Sequence, residues 1–91
     1  MYYKHYTKRF QKSYKKIIRS GKIKRQEIEG VVKVLAEGST LSPKYKDHLL
    51  HGSMAGLHEC HIRPDVLLIY QIKAKEFVLV LLNIGSHSEL F

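Results

Sequence analysis

The sequence predicts an α+β fold in which an N-terminal strand is followed by two helices packed on an antiparallel sheet of about four strands. Between residues 7 and 37, apolar residues recur at the spacing of amphipathic helices. From residue 56 onward, short apolar segments alternate with polar turns, and strands joined by such short turns pair antiparallel. The 91 residues leave room for a single domain, 1–91.

Residues 1–6 are predicted to form a short strand, and the first helix to begin after Thr7, whose hydroxyl can cap a helix N-terminus. Its apolar face would carry Phe10, Tyr14, Ile17 and Ile18. Gly21 is suited to end this helix. A second helix is predicted over 22–37, with Gly38 as its stop signal. Its apolar face would carry Ile28, Val31, Val32 and Leu35.

Residues 39–55 are predicted to form a loop that is long for so small a domain, and long irregular loops are often functional. Three strands are then predicted at 56–62, 66–72 and 77–84, with turns at 63–65 and 73–76. The second and third of these segments are apolar at most positions. They are therefore expected to be central strands covered on both faces.

The basic charge is concentrated in the first half of the chain. The net charge is +8, and residues 1–46 hold thirteen of the sixteen Lys and Arg, whereas five of the six histidines lie in the other half. This division favours a first half that attracts a polyanion and a second half that handles protons. The alternative is that the lysine-rich first helix is only a solvated face. The candidate RNA-binding residues are Lys12, Lys15, Lys16, Arg19, Lys46 and Arg63.

Few features of the sequence indicate a compartment or a cofactor. The lone Cys60 cannot form an internal disulfide, and no cysteine pair of the metal-binding type is present. The N-terminus lacks the apolar segment of a signal peptide, and the longest apolar run, 77–82, is too short to cross a bilayer. We therefore expect a cytoplasmic protein without a membrane partner or a small-molecule cofactor.

Strand alternation places Glu59, His61 and Arg63 on one face of the chain and His58 and Cys60 on the other, which is the expected core face. A carboxylate, an imidazole and a guanidinium side by side suit proton transfer next to a phosphate. Metal-free RNA cleavage needs a base, an acid and cations around the phosphorane. Two other interpretations stay open. The histidines could be structural, or His58, Glu59 and His61 could bind zinc, which the opposite orientation of His58 disfavours.

A series of motifs runs through the second half of the chain. They are Tyr45-Lys46-Asp47-His48, Gly52-Ser53, Gly56, Glu59-Cys60-His61, Pro64-Asp65, Ile69-Tyr70 and Gly85-Ser86-His87-Ser88-Glu89-Leu90-Phe91. In this order and with these gaps they resemble the YafQ-like group within the RelE-like toxins of bacterial toxin–antitoxin pairs. The first half resembles that group in pattern only, as a strand followed by two basic helices.

The resemblance implies two helices on an antiparallel sheet, ribosome-dependent cleavage of mRNA in the A site, and neutralisation by a cognate antitoxin that wraps the toxin. The family's active-site histidines, active-site aspartate and C-terminal aromatic fall, in that order, on His48, His61, His87, Asp65 and Phe91. Glu59 stands where members often have the shorter aspartate. Leu49 and Met54 replace the proline and the aromatic residue expected at their positions.

The resulting hypothesis is a toxin that inhibits translation as a metal-free endoribonuclease, an mRNA interferase. His87 would be the general acid, and either His48 or His61 the general base. The alternative is a non-catalytic module that binds RNA or an antitoxin, as a corepressor does, and whose histidines are structural.

Four other residues would support the chemistry in this hypothesis. Glu59 or Asp65 would orient an imidazole through its negative charge. Arg63 would stabilise the phosphorane, and Phe91 would stack against a base or the end of the pocket.

Overall fold

In the computed structural model, which describes residues 1–91, the chain forms five strands and three α-helices. The strands are β1 (Tyr3–Tyr6), β2 (His48–Leu49), β3 (His58–Arg63), β4 (Val66–Lys73) and β5 (Val78–Gly85). The helices are α1 (Lys8–Arg19), α2 (Arg25–Ala36) and α3 (His87–Leu90). Single 3₁₀ turns lie at Pro43–Tyr45, Gly52–Met54 and Ala74–Glu76. None of the helices is long and apolar enough to cross a membrane.

The strands form one sheet in the order β1-β5-β4-β3-β2. Strands β2 to β5 pair antiparallel, whereas β1 lies parallel to β5, with Tyr3 opposite Val78. The predicted α+β class is confirmed, but the sheet is mixed and contains a fifth strand, β2, within the segment predicted as a loop. A short turn forces neighbouring strands to run antiparallel. Since most of the chain separates β1 from β5, no such turn constrains β1.

The first helix begins after Thr7, as predicted. The Thr7 hydroxyl accepts a hydrogen bond from the Phe10 amide at 3.1 Å and donates one to the Leu81 carbonyl at 2.9 Å. It therefore caps α1 and also ties the start of the helix to β5. Beyond the end of α1, Gly21 has a φ of +76°, a conformation that glycine adopts without steric cost.

The second helix begins later than predicted, at Arg25, because a bend in the preceding residues turns Ile23 into the core. The Glu27 side chain accepts a hydrogen bond from the Lys24 amide at 2.8 Å and so caps the N-terminus of α2. Glu27 also faces β3, and this second contact affects the candidate site described below.

Helices α1 and α2 pack on one face of the sheet and form the main core with it. Buried residues of this core include Phe10, Ile17, Ile28, Val32, Leu35, Cys60, Leu68, Tyr70, Leu79 and Leu81. Leu67 and Ile69 alternate with the core residues of β4 and are buried on the opposite face. In the neighbouring β3, Glu59 pairs with Ile69 and His61 with Leu67. The two polar side chains therefore share the face that points away from α1 and α2.

Candidate active site

The centre of the candidate site is Glu59 on β3, whose carboxylate lies between two imidazoles. Its Oε1 is 3.4 Å from Nε2 of His48 and 3.5 Å from Nε2 of His61. The Glu59 side chain is 7% exposed, against 49% for His48 and 27% for His61. Because a buried carboxylate needs polar or charged partners, the two rings stabilise Glu59 while they stay open to a ligand.

Sheet pairing brings His48 to this carboxylate. Strand β2 is two residues long, and its His48 lies opposite Glu59. His61 follows Glu59 on the same face of β3, as strand alternation predicts. The centroids of the His48 and His61 rings are 6.4 Å apart, so the structure brings these two predicted site residues together.

The ring of His48 is oriented by the main chain. Its Nδ1 lies 2.7 Å from the carbonyl oxygen of Lys46. Because a carbonyl oxygen can only accept a hydrogen bond, Nδ1 must carry the proton in this contact. Lys46 has a φ of +50°, an uncommon conformation for a residue with a side chain. In the neutral ring, Nε2 is then a free lone pair on the side of Glu59, able to accept a proton.

A hydrogen bond anchors the segment that carries His48 to the core. Tyr70 of β4 donates a hydrogen bond of 2.6 Å to Asp47. Burial, followed by this bond, raises the pKa of the Tyr70 phenol, which therefore remains a donor. His58 stacks on the Tyr70 ring with 4.9 Å between centroids, and its Nδ1 is 3.8 Å from Asp47. Asp47 and Tyr70 thus hold in place the residue next to His48.

Cys60 lies between the two groups but supplies no nucleophile. It is fully buried on the helix-covered face of β3. Burial raises the pKa of its thiol to about 12, and the nearby charges of Asp47 and Glu59 act in the same direction. Cys60 is therefore a protonated core residue.

His87 and Phe91 form a second group next to the first. His87 opens α3, and the centroids of the His87 and Phe91 rings are 5.1 Å apart. Gly85 pairs with Leu67, which pairs with His61. Helix α3 therefore starts at the end of the sheet where His61 lies, two strands away, or about 10 Å at the usual strand spacing. The second group flanks the Glu59 group across this distance.

Asp65 lies outside both groups. It occupies the exposed turn between β3 and β4, where its carboxylate is 3.8 Å from Nζ of Lys22. None of the three imidazoles has Asp65 as an ion-pair partner. Of the two carboxylates predicted to orient an imidazole, only Glu59 therefore contacts one in the structure.

Arg63 does not share the surroundings of Glu59 and His61, and this part of the sequence interpretation is wrong. Its guanidinium donates two hydrogen bonds to Glu27 of α2, at 2.9 and 3.0 Å. A register shift in the β3–β4 pairing falls between His61 and Arg63. Such an irregularity breaks strict alternation and can redirect a side chain. Arg63 therefore connects β3 to the helix layer.

The zinc site that the sequence left open, with His58, Glu59 and His61 as ligands, is not formed. His58 packs on Tyr70, on the side of β3 opposite Glu59 and His61. No three His, Cys, Asp or Glu side chains of the chain are arranged so that they could hold a metal ion together.

Two polar surfaces lie near the candidate site. A cleft of about 570 Å³ opens beside His61, between α2 and the Pro43–Tyr45 turn, and Lys44 and Lys46 are among its lining residues. The exposed side of α1 forms a shallow cleft of about 790 Å³ without any hydrophobic lining residue. Its cationic residues are Lys8, Arg9, Lys12, Lys15, Lys16 and Arg19. Of these, Lys16 alone forms an ion pair, with Glu89 of α3 at 2.9 Å.

Sequence reasoning missed three residues that support the site, namely Asp47, Tyr70 and Glu89. A tyrosine within an otherwise apolar strand was one available signal, because a buried phenol usually finds a hydrogen-bond partner. The partner of Tyr70 is distant in sequence and carries no local signal. Glu89 follows Ser86 at the spacing of a capping box, which was a second available signal.

Comparison with known proteins identifies the family of this chain. A family model described as a bacterial toxin of type II toxin–antitoxin system, YafQ, matches residues 2–91. The mRNA interferase toxin YafQ of Escherichia coli strain K12 is 43% identical over 47 residues, which are 52% of this chain and 49% of that protein. The chain thus spans about half the length of the curated relatives it matches.

Solved structures resemble this chain over its whole length. A metal-bound toxin from Helicobacter pylori is 44% identical, with a TM-score of 0.90 and 100% of both chains covered. A chain in the E. coli DinJ–YafQ complex is 26% identical, with a TM-score of 0.86, and 100% of this chain and 99% of that chain are covered. The resemblance drawn from the sequence motifs is confirmed: the chain belongs to the YafQ family of toxins of bacterial type II toxin–antitoxin systems.

Proposed function

We propose that this chain is a toxin that cuts mRNA on the ribosome, an endoribonuclease whose acid–base groups are histidines. The observation that carries the proposal is the buried Glu59 carboxylate between the open imidazoles of His48 and His61. The E. coli relative, described as an mRNA interferase, supports the same substrate class. A nuclease that acts on translating ribosomes would work in the cytoplasm.

In the proposed reaction, Nε2 of His48 removes the proton of a ribose 2'-hydroxyl. The 2'-oxygen attacks the adjacent phosphorus in line, and the bond from phosphorus to the 5'-oxygen breaks. His87 gives a proton to this leaving oxygen. The products are a 2',3'-cyclic phosphate and a 5'-hydroxyl, and one proton is taken up for each one given. His61, when protonated beside Glu59, adds positive charge next to the phosphorane.

His48 is preferred to His61 as the base because of the bond that orients its ring. The Lys46 carbonyl fixes the proton on Nδ1, so Nε2 is the atom left to accept a proton. The cleft beside His61 has a volume within the range of small-ligand sites and can take a flanking nucleotide. On the other side, Phe91 offers an exposed ring on which a base can stack.

Primer extension on transcripts collected after induction of the toxin tests this proposal. We expect cuts within translated mRNA, and we expect His48→Gln and His87→Gln each to lower cleavage by about 10²-fold or more. The matched control is His5→Gln, which removes an exposed imidazole on β1 at the far edge of the sheet and should leave cleavage intact. Undiminished cleavage by folded His48→Gln and His87→Gln proteins would contradict the proposal and favour the non-catalytic binder.

The proposal gives no step to a metal ion, and the metal-bound neighbour makes this worth testing. Because ribosomes need Mg²⁺, the toxin should be treated with a chelator and desalted before it is mixed with programmed ribosomes. Unchanged cleavage supports acid–base chemistry by side chains alone. Loss of cleavage that Zn²⁺ or Cu²⁺ restores would overturn that part of the proposal.

The exposed lysines of α1 are proposed to bind ribosomal RNA through phosphate contacts, which are strong and blind to sequence. Charge reversal at Lys12 and Lys15 should weaken ribosome binding and flatten its salt dependence by about one logarithmic unit per contact. Lys75→Glu, in the turn before β5, is the matched control for the loss of a positive charge elsewhere. An unchanged salt slope in Lys12→Glu would contradict this role.

The partner proposed for this chain is a cognate antitoxin. The E. coli YafQ chain that it resembles is found in a complex with DinJ. Growth arrest on induction of the toxin alone, relieved by co-expression of an antitoxin related to DinJ, is the expected result. Arrest that no such partner relieves would count against it.

A further inference from the structure

We propose that Glu89 is a positioning residue that clamps α3 against β5 and α1 and thereby holds His87 and Phe91 beside the site, an inference that rests on the proposed nuclease function. The clamp consists of Ser86, Glu89 and Lys16. Neither Glu89 nor Ser86 was a candidate site residue in the sequence analysis. Neither needs to touch the RNA for the clamp to act.

Both oxygens of the Glu89 carboxylate are engaged. Oε1 accepts hydrogen bonds from the amide and from the hydroxyl of Ser86, each at 2.9 Å. Oε2 lies 2.9 Å from Nζ of Lys16 on α1. One side chain therefore closes the first turn of α3, joins it to the end of β5, and connects it to a helix 73 positions earlier in the chain.

The end of β5 is shaped to let Glu89 approach. A Cβ atom placed on Gly85 would lie 3.2 Å from Oε1 of Glu89 and 3.6 Å from Cδ2 of Leu90. Real Cβ atoms rarely have contacts as tight as the first of these, so the approach uses the missing side chain of Gly85. Ser86 is itself buried, so the clamp grips a residue with a fixed position.

Helix α3 needs such support because it is only four residues long. A single helical turn is not stable without tertiary contacts. His87 and Phe91 are both exposed, so few packing contacts hold either ring. Their placement therefore depends on the residues that hold the turn between them. The carboxylate remains charged in this role, because the Ser86 amide, followed by Lys16 and the Ser86 hydroxyl, lowers the pKa of Glu89 to about 2.

Lys16 gives the clamp its connection to the proposed RNA-binding surface. It alone among the cations of α1 has an acidic partner. The helix proposed to meet ribosomal RNA is therefore tied to the turn that carries the proposed general acid. Loss of Lys16 should consequently affect cleavage chemistry, whereas loss of Lys12 should affect binding alone.

The test measures single-turnover cleavage on programmed ribosomes at saturating toxin. Glu89→Ala should lower the rate of cleavage by about ten- to a hundredfold, the loss that a small misplacement of a reacting group produces, with ribosome affinity unchanged. Glu89→Gln keeps one acceptor for Ser86 and should fall between Glu89→Ala and the unsubstituted protein. Lys16→Ala should slow the chemical step, while its matched control Lys12→Ala should weaken binding only. Ser88→Ala, a neighbouring change in α3 that leaves the clamp intact, should change neither.

A second measurement does not depend on activity. Nuclear Overhauser contacts between the rings of His87 and Phe91 should be strong in the unsubstituted protein and in Ser88→Ala, and weak in Glu89→Ala. Thermal melts show whether each variant is folded. If Glu89→Ala does not fold, Glu89→Gln and Lys16→Ala decide the question in both assays.

The two proposals fail in different ways. If His87→Gln abolishes cleavage but the Glu89 variants change neither the rate nor the ring contacts, the clamp is overturned and the nuclease stands. If His87→Gln itself leaves cleavage intact, the nuclease proposal fails, and the claim that Glu89 positions a general acid fails with it.

Discussion

The phenol of Tyr70 donates a 2.6 Å hydrogen bond to the carboxylate of Asp47, the residue that precedes His48. Tyr70 is buried in the central strand β4, whereas Asp47 belongs to the long segment between α2 and β3. The only strand of that segment is β2, two residues long. The bond therefore anchors an irregular segment to the core at a point one residue from the proposed general base.

Replacing Tyr70 with Phe should separate this anchor from core packing. The ring remains, but Asp47 loses its donor, which should cost about 1.5 kcal/mol of unfolding free energy, the low end for a hydrogen bond to a charged group. Denaturation in urea measures this cost, and the cleavage rate should also fall because His48 is less well held. The control is Tyr45→Phe, because the Tyr45 hydroxyl has no hydrogen bond within the chain. Equal stability of the two variants would contradict the anchor.

The neutral form of His48 should carry its proton on Nδ1. The Lys46 carbonyl at 2.7 Å can only accept, so the other tautomer would lose this bond. Nitrogen-15 spectra recorded at a pH where the imidazoles are neutral distinguish the two tautomers. Exposed His5 provides an internal comparison and should show a mixture. A signal from His48 with the proton on Nε2 would remove the argument for Nε2 as the base.

The thiol of Cys60 should be unreactive in the folded protein. It is buried, and burial raises its pKa to about 12, so almost none is thiolate at neutral pH. Labelling with a thiol reagent at pH 8 should therefore proceed at the rate of unfolding and increase with added urea. Rapid labelling of the folded chain would show that β3 opens locally, contrary to the packing described here.

Lowering the pH should release α3 before the rest of the fold. The pKa of Glu89 is lowered from its ordinary value of 4.5 to about 2, so the folded state binds this proton less readily than the unfolded state. The stabilisation by Glu89 is therefore complete above about pH 4.5 and is lost as the pH falls towards about 2. Hydrogen exchange of the Ser86 amide should quicken over this range. In Glu89→Gln the exchange should lack this acid step, and an identical step in both proteins would assign it to another carboxyl.

Local patterns were enough to predict the helix pair and part of the site. Thr7 caps α1 because of its own hydroxyl, and Glu59 and His61 share a face because side chains alternate along any strand. These properties depend on residues close together in the chain. They could therefore be read without knowledge of the fold.

Contacts between distant residues were beyond such patterns. Arg63 was expected beside Glu59, but it bonds to Glu27, and Asp65 pairs with Lys22. A charged side chain bonds to whichever opposite charge folding places within reach, and alternation along one strand does not contain that information. Here the helix layer supplied both partners.

The order of residues thus specified an α+β domain with a basic first half, a histidine-rich second half and the motifs of a toxin family. Folding settled that His48 meets Glu59, that β1 runs parallel to β5, and that Lys16 reaches Glu89. Each of these three contacts joins segments with no periodic pattern or turn between them to dictate the pairing. Their geometry follows instead from the way the helices and the sheet bury apolar surface together.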